Sequence, residues 1–472
     1  MSEEYDVIVL GGGAIGENVA DRAVQGGLTA VVIESELVGG ECSYWACMPS
    51  KALLRPLQAR WAAQPVRGVT AGEIDIEEVL ARRDSFTSEW SDAGQVDWLR
   101  SAGIDLIRGH GRVTAEREVT ITTDDGERML KARHAVAICT GSAAALADIP
   151  GLVEAEPWTS REATSAEHVP ESLAIIGGGA VAVEMATAFT GLGAQVTVIA
   201  RGTLLGSMEP FAGERITAKL RERGVKVHLH TETTRVRRDA DGVTLFTADG
   251  DEITAAELLV ATGRQPRTDD IGLTALNIDG VKAGEYIGTD DTLLVPGTDW
   301  LYAVGDANGR ALLTHQGKYQ ARAAGDVIVA RSRDEVIADQ QWGRHVATAD
   351  HGAVPQVVFS EPEAASVGLT ESAAREAGRE IEVVDVDLGS IAGASLHAEG
   401  YEGMARMIID TERELVLGMT FVGSDVAEML HAATIAVVGE VPISRLWHAV
   451  PAYPTMSEVW LRLLEQYGRQ SA

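Results

Sequence analysis

The chain has 472 residues, too long for one core; at roughly 100 to 200 residues per domain it predicts about three domains. A hydrophobic fraction of 45% with 50 glycines fits a globular α/β protein rich in tight turns. Forty Lys plus Arg against 70 Asp plus Glu leave a net charge of -30, a surface that disfavours nucleic acid and anionic membranes as partners.

The acidic start Ser2-Glu3-Glu4 does not read as a secretory signal, and no apolar run approaches the roughly 20 residues that span a bilayer. Three cysteines cannot build a secreted disulfide framework. The expectation is a cytoplasmic protein.

From Tyr5 to Leu10 runs a short β-forming apolar stretch, followed by Gly11-Gly12-Gly13-Ala14-Ile15-Gly16 and a helical pattern through Val24. Strand, GxGxxG and helix form a dinucleotide fingerprint: Gly11 makes the turn, Gly13 admits the pyrophosphate and Gly16 lets the helix pack on the strand. The helix N-terminus offers N–H groups and a positive dipole end to the phosphates. A second strand, 30–33, ends at Glu34, eighteen residues after Gly16, where an acid can bond ribose hydroxyls.

The stretch GGECSYWACMPSK, 39–51, holds Cys42 and Cys47, five positions apart. On one helix that spacing puts both thiols on nearly the same face, close enough for a disulfide if the first turn is distorted. The plainer reading is two cysteines on a buried helix; the richer one is a store for two electrons. The stretch resembles the redox segment of the pyridine nucleotide-disulfide oxidoreductases, the family of dihydrolipoamide dehydrogenase, glutathione reductase and mercuric reductase. Both cysteines, Pro49, Ser50 and Lys51 match in register, while Glu41 replaces a threonine, Ala46 a glycine, and Tyr44 and Trp45 stand near an asparagine. The resemblance implies FAD, with Gly40 and Glu41 beside it, Cys47 facing the flavin as the charge-transfer thiol and Cys42 facing the substrate.

Between 52 and 100 the pattern is helical, with Trp61, Trp90 and Trp98 expected as packing anchors. The segment 103–113 returns to strand character and is similar to the one whose backbone, near Gly111, meets the adenine of FAD. AVAICTGS, 135–142, looks like the family's ATGS turn, which brings in Thr140, Gly141 and Ser142; Cys139 beside it reads as a buried small residue.

A second fingerprint follows a strand at 173–176, with Gly177, Gly179 and Ala182 at its three glycine positions and Glu184 closing it. Two fingerprints imply two nucleotides. After the next strand, 195–200, Ala200 takes the place of a ribose-binding acid and Arg201 follows. An acid there would repel a 2′-phosphate and an arginine can pair with it, so NADPH is expected over NADH. The resemblance pairs Glu184 with Lys51 beside flavin N5 and, with Ala180 where glutathione reductase has an aromatic gate, leaves the nicotinamide pocket open. LLVATGRQPRT, 258–268 and including Gly263, resembles the strand that returns to the FAD domain. Residues 301–315 resemble the second FAD signature, with Asp306 on the ribitol and 312–315, including Leu313 and His315, passing beneath the isoalloxazine.

The segment opening at 354 is similar to the family's dimerisation domain, which implies a homodimer whose active site is shared between subunits; the apolar run 429–438 reads as core or interface. The closing signature, HPTxSE in the family, is Tyr453-Pro454-Thr455-Met456-Ser457-Glu458 here. Tyrosine, with a reference pKa of about 10, donates a proton near neutrality but is a poor base. That departure speaks against a plain lipoamide or glutathione reductase. His448 is the alternative proton donor. The sequence shows no C-terminal cysteine pair and no appended metal-binding segment of the kind that serves mercuric ion, and no resident metal is expected.

The expected fold is α/β: two Rossmann-like dinucleotide-binding domains, for FAD and NAD(P)H, plus an α+β C-terminal dimerisation domain. FAD would take residues 1–148 and 267–343, NAD(P)H 149–266, and dimerisation 344–472. The expected function is electron transfer from NADPH through FAD and the Cys42/Cys47 disulfide to a small acceptor: an electrophile, a metal ion such as mercuric ion, a quinone or a low-molecular-weight disulfide. Tyr453 of the partner subunit, oriented by Glu458, would donate a proton or shape the pocket. The alternatives are a dihydrolipoamide dehydrogenase of a 2-oxoacid complex and a non-enzymatic flavin/disulfide redox sensor.

Overall fold

Strand Glu3–Leu10 is sealed from solvent over its second half, Val7 to Leu10, as a parallel strand covered on both faces must be. It pairs in parallel with Ala30–Glu34 and with Gly126–Ile138. The order of the sheet is Asp105–Arg108, Ala30–Glu34, Glu3–Leu10, Gly126–Ile138, Glu118–Thr123, His110–Ala115, and Leu301–Ala303 adds in parallel to Gly126–Ile138. The computed structural model describes residues 3–469, which fall into two compact units.

The first unit takes the described residues of Met1–Pro49 with Asp84–Ala145 and Arg264–Asp350. Its last stretch returns from far along the chain to complete the sheet. The helix Thr314–Ser332 then packs along Ala14–Gln25, and the approach is close: a Cβ on Gly325 would lie 2.4 Å from Arg22 Cβ. The segment 103–113, expected to have strand character, holds two strands, Asp105–Arg108 and the start of His110–Ala115, with Gly109 at φ +149° between them.

The second unit takes Ser50–Arg83, Leu146–Gly263 and the described residues of His351–Ala472. It holds a parallel sheet ordered Lys226–His228, Gln195–Ile199, Ser172–Ile176, Glu257–Val260, an antiparallel meander Thr233–Asp239, Gly242–Thr247, Glu252–Ala255, and a five-stranded antiparallel sheet. The order of the last is Gln356–Val358, Glu363–Gly368, Leu415–Gly423, Met404–Asp410, Ile381–Asp387. Helix Ala180–Gly191 is apolar almost all round and buried from Ala182 to Phe189, which a helix can be only when covered on every side. Leu53, Leu54 and Leu57 share its core, and a Cβ on Gly191 would meet Leu57 Cδ1 at 2.6 Å.

The apolar run near 430 is the helix Leu430–Val438, and it divides its faces: Leu430, Ala433 and Ala436 join the core of the antiparallel sheet while Ile435 is exposed. Trp61 is stacked under the Arg223 guanidinium at 3.6 Å and Trp90 is hydrogen-bonded, but Trp98 is 41% exposed and is no anchor, since Leu99 is the buried residue of its helix. Among the described residues no helix is long and apolar enough to cross a membrane.

The glycines of the first unit separate by the space above them. A Cβ on Gly16 would sit 1.9 Å from Gly11 O, whereas one on Gly94, inside the helix Ala93–Ser101, would meet nothing within 4 Å. Gly16→Ala is therefore expected to destabilise by about 1–3 kcal/mol through overpacking, and Gly94→Ala to stabilise by about 0.4–1 kcal/mol through a stiffer unfolded chain. Denaturant unfolding of the two variants checks this; equal midpoints would refute it.

Candidate active site

Gly39 and Gly40 both adopt positive φ, +111° and +60°, and lead into the short helix Gly40–Tyr44. Trp45 leaves helical geometry at φ -136°, ψ 7°, and a new helix, Cys47–Ala63, begins at the second thiol. The single helix expected through both cysteines is thus two. The thiols still meet: Cys42 is hydrogen-bonded with Cys47, and Cys47 Sγ lies 3.4 Å from Thr314 Oγ1. Both cysteines are in the thiol form. The hydrogen bond to Cys47 and burial push the Cys42 thiol well above the usual range, against the pull of Thr314 and Lys318. Tyr44 is a strut: its buried hydroxyl donates to Val38 O at 3.1 Å, and its carbonyl accepts from Trp90 Nε1 at 3.2 Å.

The first fingerprint stands ready for a dinucleotide. Gly11, at φ +100°, passes under the carbonyl of Cys139, where a Cβ would be 2.3 Å from the oxygen. Over Gly13 the nearest atom to a Cβ would be Gly40 Cα at 3.9 Å, so this backbone is open to close approach. Glu34 ends its strand with one carboxylate oxygen accepting from Gly12 N–H and the other from Glu36 N–H, each at 2.7 Å. Gly111 lies against Leu10, with no room for a side chain.

At the turn after Gly126–Ile138, Thr140 Oγ1 is buried with no hydrogen-bond partner, and Gly141 is open at φ +73°. Ser142 donates to Asp306 at 2.5 Å and accepts from Arg264 Nε at 2.6 Å. Glu41 is paired with Arg267 at 3.1 Å, a cation that also reaches Glu36 at 3.4 Å. Leu313 caps the helix Thr314–Ser332, and His315 lies in its first turn. Open glycines and an orphaned threonine hydroxyl around an acid-ended strand fit FAD. Thr314, Arg264 and Arg267 are additions to the residues expected from sequence; the two arginines stand in the run GRQPR, whose charge is the available signal.

The second fingerprint repeats the backbone of the first. Gly177, at φ +140°, passes under Ala261, where a Cβ would be 2.2 Å from the carbonyl oxygen, and the space over Gly179 is open. A Cβ on Gly178 would lie 3.2 Å from Ala200 Cβ, just as one on Gly12 would lie 3.1 Å from Glu34 Cβ. Ala200 therefore occupies the place of Glu34, without its carboxylate, and Arg201 beyond it is exposed. Ala182 is buried in its helix, and Gly263, at φ +135°, is open.

In this unit Lys51 Nζ pairs with Glu184 Oε2 at 2.7 Å, and Glu184 Oε1 accepts from Phe359 N–H at 3.0 Å. Glu184 is only 5% exposed, and Lys51 also lies 4.9 Å over the Phe359 ring. Phe359 is a further addition to the expected residues.

At the C-terminus Tyr453 is 76% exposed and, among the described residues, has no hydrogen-bond partner; His448 is exposed as well. Glu458 does not orient it. Standing at the start of the helix Val459–Tyr467, it accepts instead from Arg462, four residues on, at 2.5 Å.

The family model described as pyridine nucleotide-disulphide oxidoreductase matches residues 5–325, and that of its dimerisation domain matches 354–463. The chain is 31% identical to a dihydrolipoyl dehydrogenase of Rhizobium etli across 99% of both chains. It is 30% identical to a mercuric reductase of Streptomyces lividans across 98% of this chain and 96% of that one. The copper(II) complex of the HOCl-induced flavoprotein disulfide reductase RclA from Escherichia coli shares the fold, with a TM-score of 0.84 over 98% of this chain and 99% of that one at 23% identity. Two fingerprints of one backbone geometry, a dithiol and a dimerisation domain thus belong together: the chain is a member of the pyridine nucleotide-disulphide oxidoreductases, an FAD-dependent NAD(P)H oxidoreductase with a redox-active disulfide.

Proposed function

We propose that the protein passes electrons from NADPH, by way of FAD, to the Cys42/Cys47 pair and on to a small acceptor that meets Cys42. Residues 1–148 and 267–343 serve FAD, 149–266 serve NADPH, and 344–472 form the homodimer. The observation that carries this reading is the hydrogen-bonded dithiol beside Thr314 in the unit that holds the Gly11–Gly16 cradle. FAD, when bound, supplies the two-electron relay between nicotinamide and disulfide.

The chain's own residues supply the rest. Cys47 keeps a negative charge after the disulfide opens, helped by the Thr314 hydroxyl at 3.4 Å, and Cys42 performs the exchange. Lys51 holds a fixed cation, and Glu184 cannot turn away from it because Phe359 N–H engages its other oxygen. Arg201 pairs with the 2′-phosphate of NADPH, next to an Ala200 that offers no opposing carboxylate. Tyr453 of the partner subunit donates a proton to the acceptor. A proton donor without a good base suits an electrophile, a metal ion such as mercuric ion, a quinone or a small disulfide better than it suits dihydrolipoamide oxidation, which must remove thiol protons. The second reading, a dihydrolipoamide dehydrogenase, is favoured by the 31% identical relative of that name.

Anaerobic titration with NADPH should raise a long-wavelength absorbance beside the flavin band in the wild type and none in Cys47→Ser. Flavin bleaching without that absorbance in either protein would remove the cysteines from the electron path. Arg201→Glu should raise KM for NADPH by about tenfold or more, the scale of one lost charge-assisted pair, and leave KM for NADH within about twofold. Equal NADH and NADPH efficiency in the wild type, untouched by this change, would rule out the phosphate contact. Tyr453→Phe should lower turnover with a small disulfide by less than about tenfold, and a loss beyond about a hundredfold would make the tyrosine an essential acid instead.

A further inference from the structure

Asp306 stands in the tight turn Gly305–Asn308, and its two carboxylate oxygens are used differently. Oδ2 accepts from Ser142 Oγ, while among the described residues no hydrogen bond or ion pair reaches Oδ1. The turn that presents this carboxylate is held by one side chain of the helix Thr314–Ser332. Gln320 Oε1 accepts from Gly305 N–H at 2.8 Å and from Asn308 Nδ2 at 2.9 Å, and Gln320 is sealed from solvent. On its other side the turn is crowded: a Cβ on Gly305, at φ +73°, would lie 3.0 Å from Ile15 Cγ1.

With its oxygen engaged by two donors, the Gln320 amide must turn its NH2 group the other way. There Nε2 donates to Asp350 Oδ2 at 3.0 Å. Gln316, one turn back on the same face of the helix, donates to Asp350 Oδ1 at 2.7 Å, and Arg310 Nε pairs with Asp350 Oδ2 at 3.0 Å. Tyr319, between the two glutamines, holds the backbone that carries Asp350: its hydroxyl donates to Val346 O and accepts from Ala349 N–H, each at 3.3 Å. All three side chains that meet the Asp350 carboxylate here are donors, so the place calls for a group that only accepts. The Asp350 side chain is 1% exposed, and a sealed carboxylate engaged by three donors keeps them from rotating.

We propose that Gln320 and Asp350 are positioning residues for FAD: Asp350 fixes the orientation of the Gln320 amide, and that amide fixes the turn from which Asp306 meets the ribitol. This rests on the reading of Asp306 as the ribitol acid. Gln320, closed off from solvent, acts through the turn and not by contact with the cofactor. Without its oxygen, Gly305 N–H and Asn308 lose a shared acceptor, the turn relaxes, and Asp306 Oδ1 is no longer held where a hydroxyl can donate to it. Loss of the Asp350 charge acts one step further back, by freeing the Gln320 amide to turn.

The test follows FAD retention by the full-length holoenzyme on serial dilution, read from the flavin fluorescence that rises as FAD leaves. Gln320→Met keeps the bulk, removes the acceptor, and should raise Kd for FAD about tenfold, the scale of one buried N–H left without a partner. Asp350→Asn keeps the shape, loses the charge, and should raise it about threefold. In an Asp306→Ala background each change should shrink to less than about twofold, because the turn then has no carboxylate to present. A network that served the fold alone would weaken FAD by the same factor in both backgrounds. That result, or wild-type retention in both single variants, would overturn the proposal. Where Gln320→Met fails to fold, Asp350→Asn decides by the same comparison. If Asp306→Ala itself retains FAD as the wild type does, the ribitol reading has failed and the proposal falls with it.

Discussion

Two half-buried thiols held against each other resist giving up a proton, and the residues around them work against that resistance. Cys42 feels it through the Cys47 hydrogen bond and through burial. What offsets it comes from one element, the helix Thr314–Ser332, which brings the Thr314 hydroxyl, the positive end of its dipole and Lys318. That helix is placed by its packing on Ala14–Gln25, where Gly325 allows Arg22 to approach and Arg22 pairs with Asp326. The chemistry of a thiol near residue 42 therefore depends on a glycine near residue 325.

The two fingerprints show how one backbone serves two purposes. In both, the first glycine passes under a carbonyl, of Cys139 in one and Ala261 in the other, and the second lies against the end of the neighbouring strand. Only the residue at that strand end differs. Glu34 places a carboxylate there and spends both oxygens on N–H groups; Ala200 places a methyl, with a cation beside it. Identity at one side chain, with the backbone held constant, is what can separate a free ribose from a phosphorylated one.

The features legible in the amino-acid sequence are those that depend on backbone conformation and local order. Gly11, Gly16 and Gly177 are required by approaches of 2.3, 1.9 and 2.2 Å that no Cβ tolerates, so their spacing alone announces the turn. Long-range partners are harder to read. Lys51 and Glu184 can be matched through the resemblance, but Phe359, which holds the other oxygen of Glu184, lies 175 residues further on and carries its role in a backbone N–H that has no signature. Trp45 breaks the expected helix because the two thiols meet across a helix break, which periodicity cannot anticipate. Glu458 departs from expectation for a local reason: Arg462, one turn along, competes for it more readily than a tyrosine five residues back.

Glu184 shows how a fixed charge is kept in place. A carboxylate so nearly buried is costly unless its oxygens are engaged, and here one is held by an ammonium and the other by an amide. Lys51 is the more exposed partner, at 36% for its side chain, so water could take over much of its solvation. Glu184 has no such exit. The asymmetry makes the carboxylate the anchor and the lysine the held group: loss of Glu184 would free a cation that can solvate itself, whereas loss of Lys51 would leave a buried charge with only the Phe359 amide to meet it. Breaking the pair from the lysine side is therefore the more damaging to the fold, and breaking it from the glutamate side the more damaging to where the cation sits.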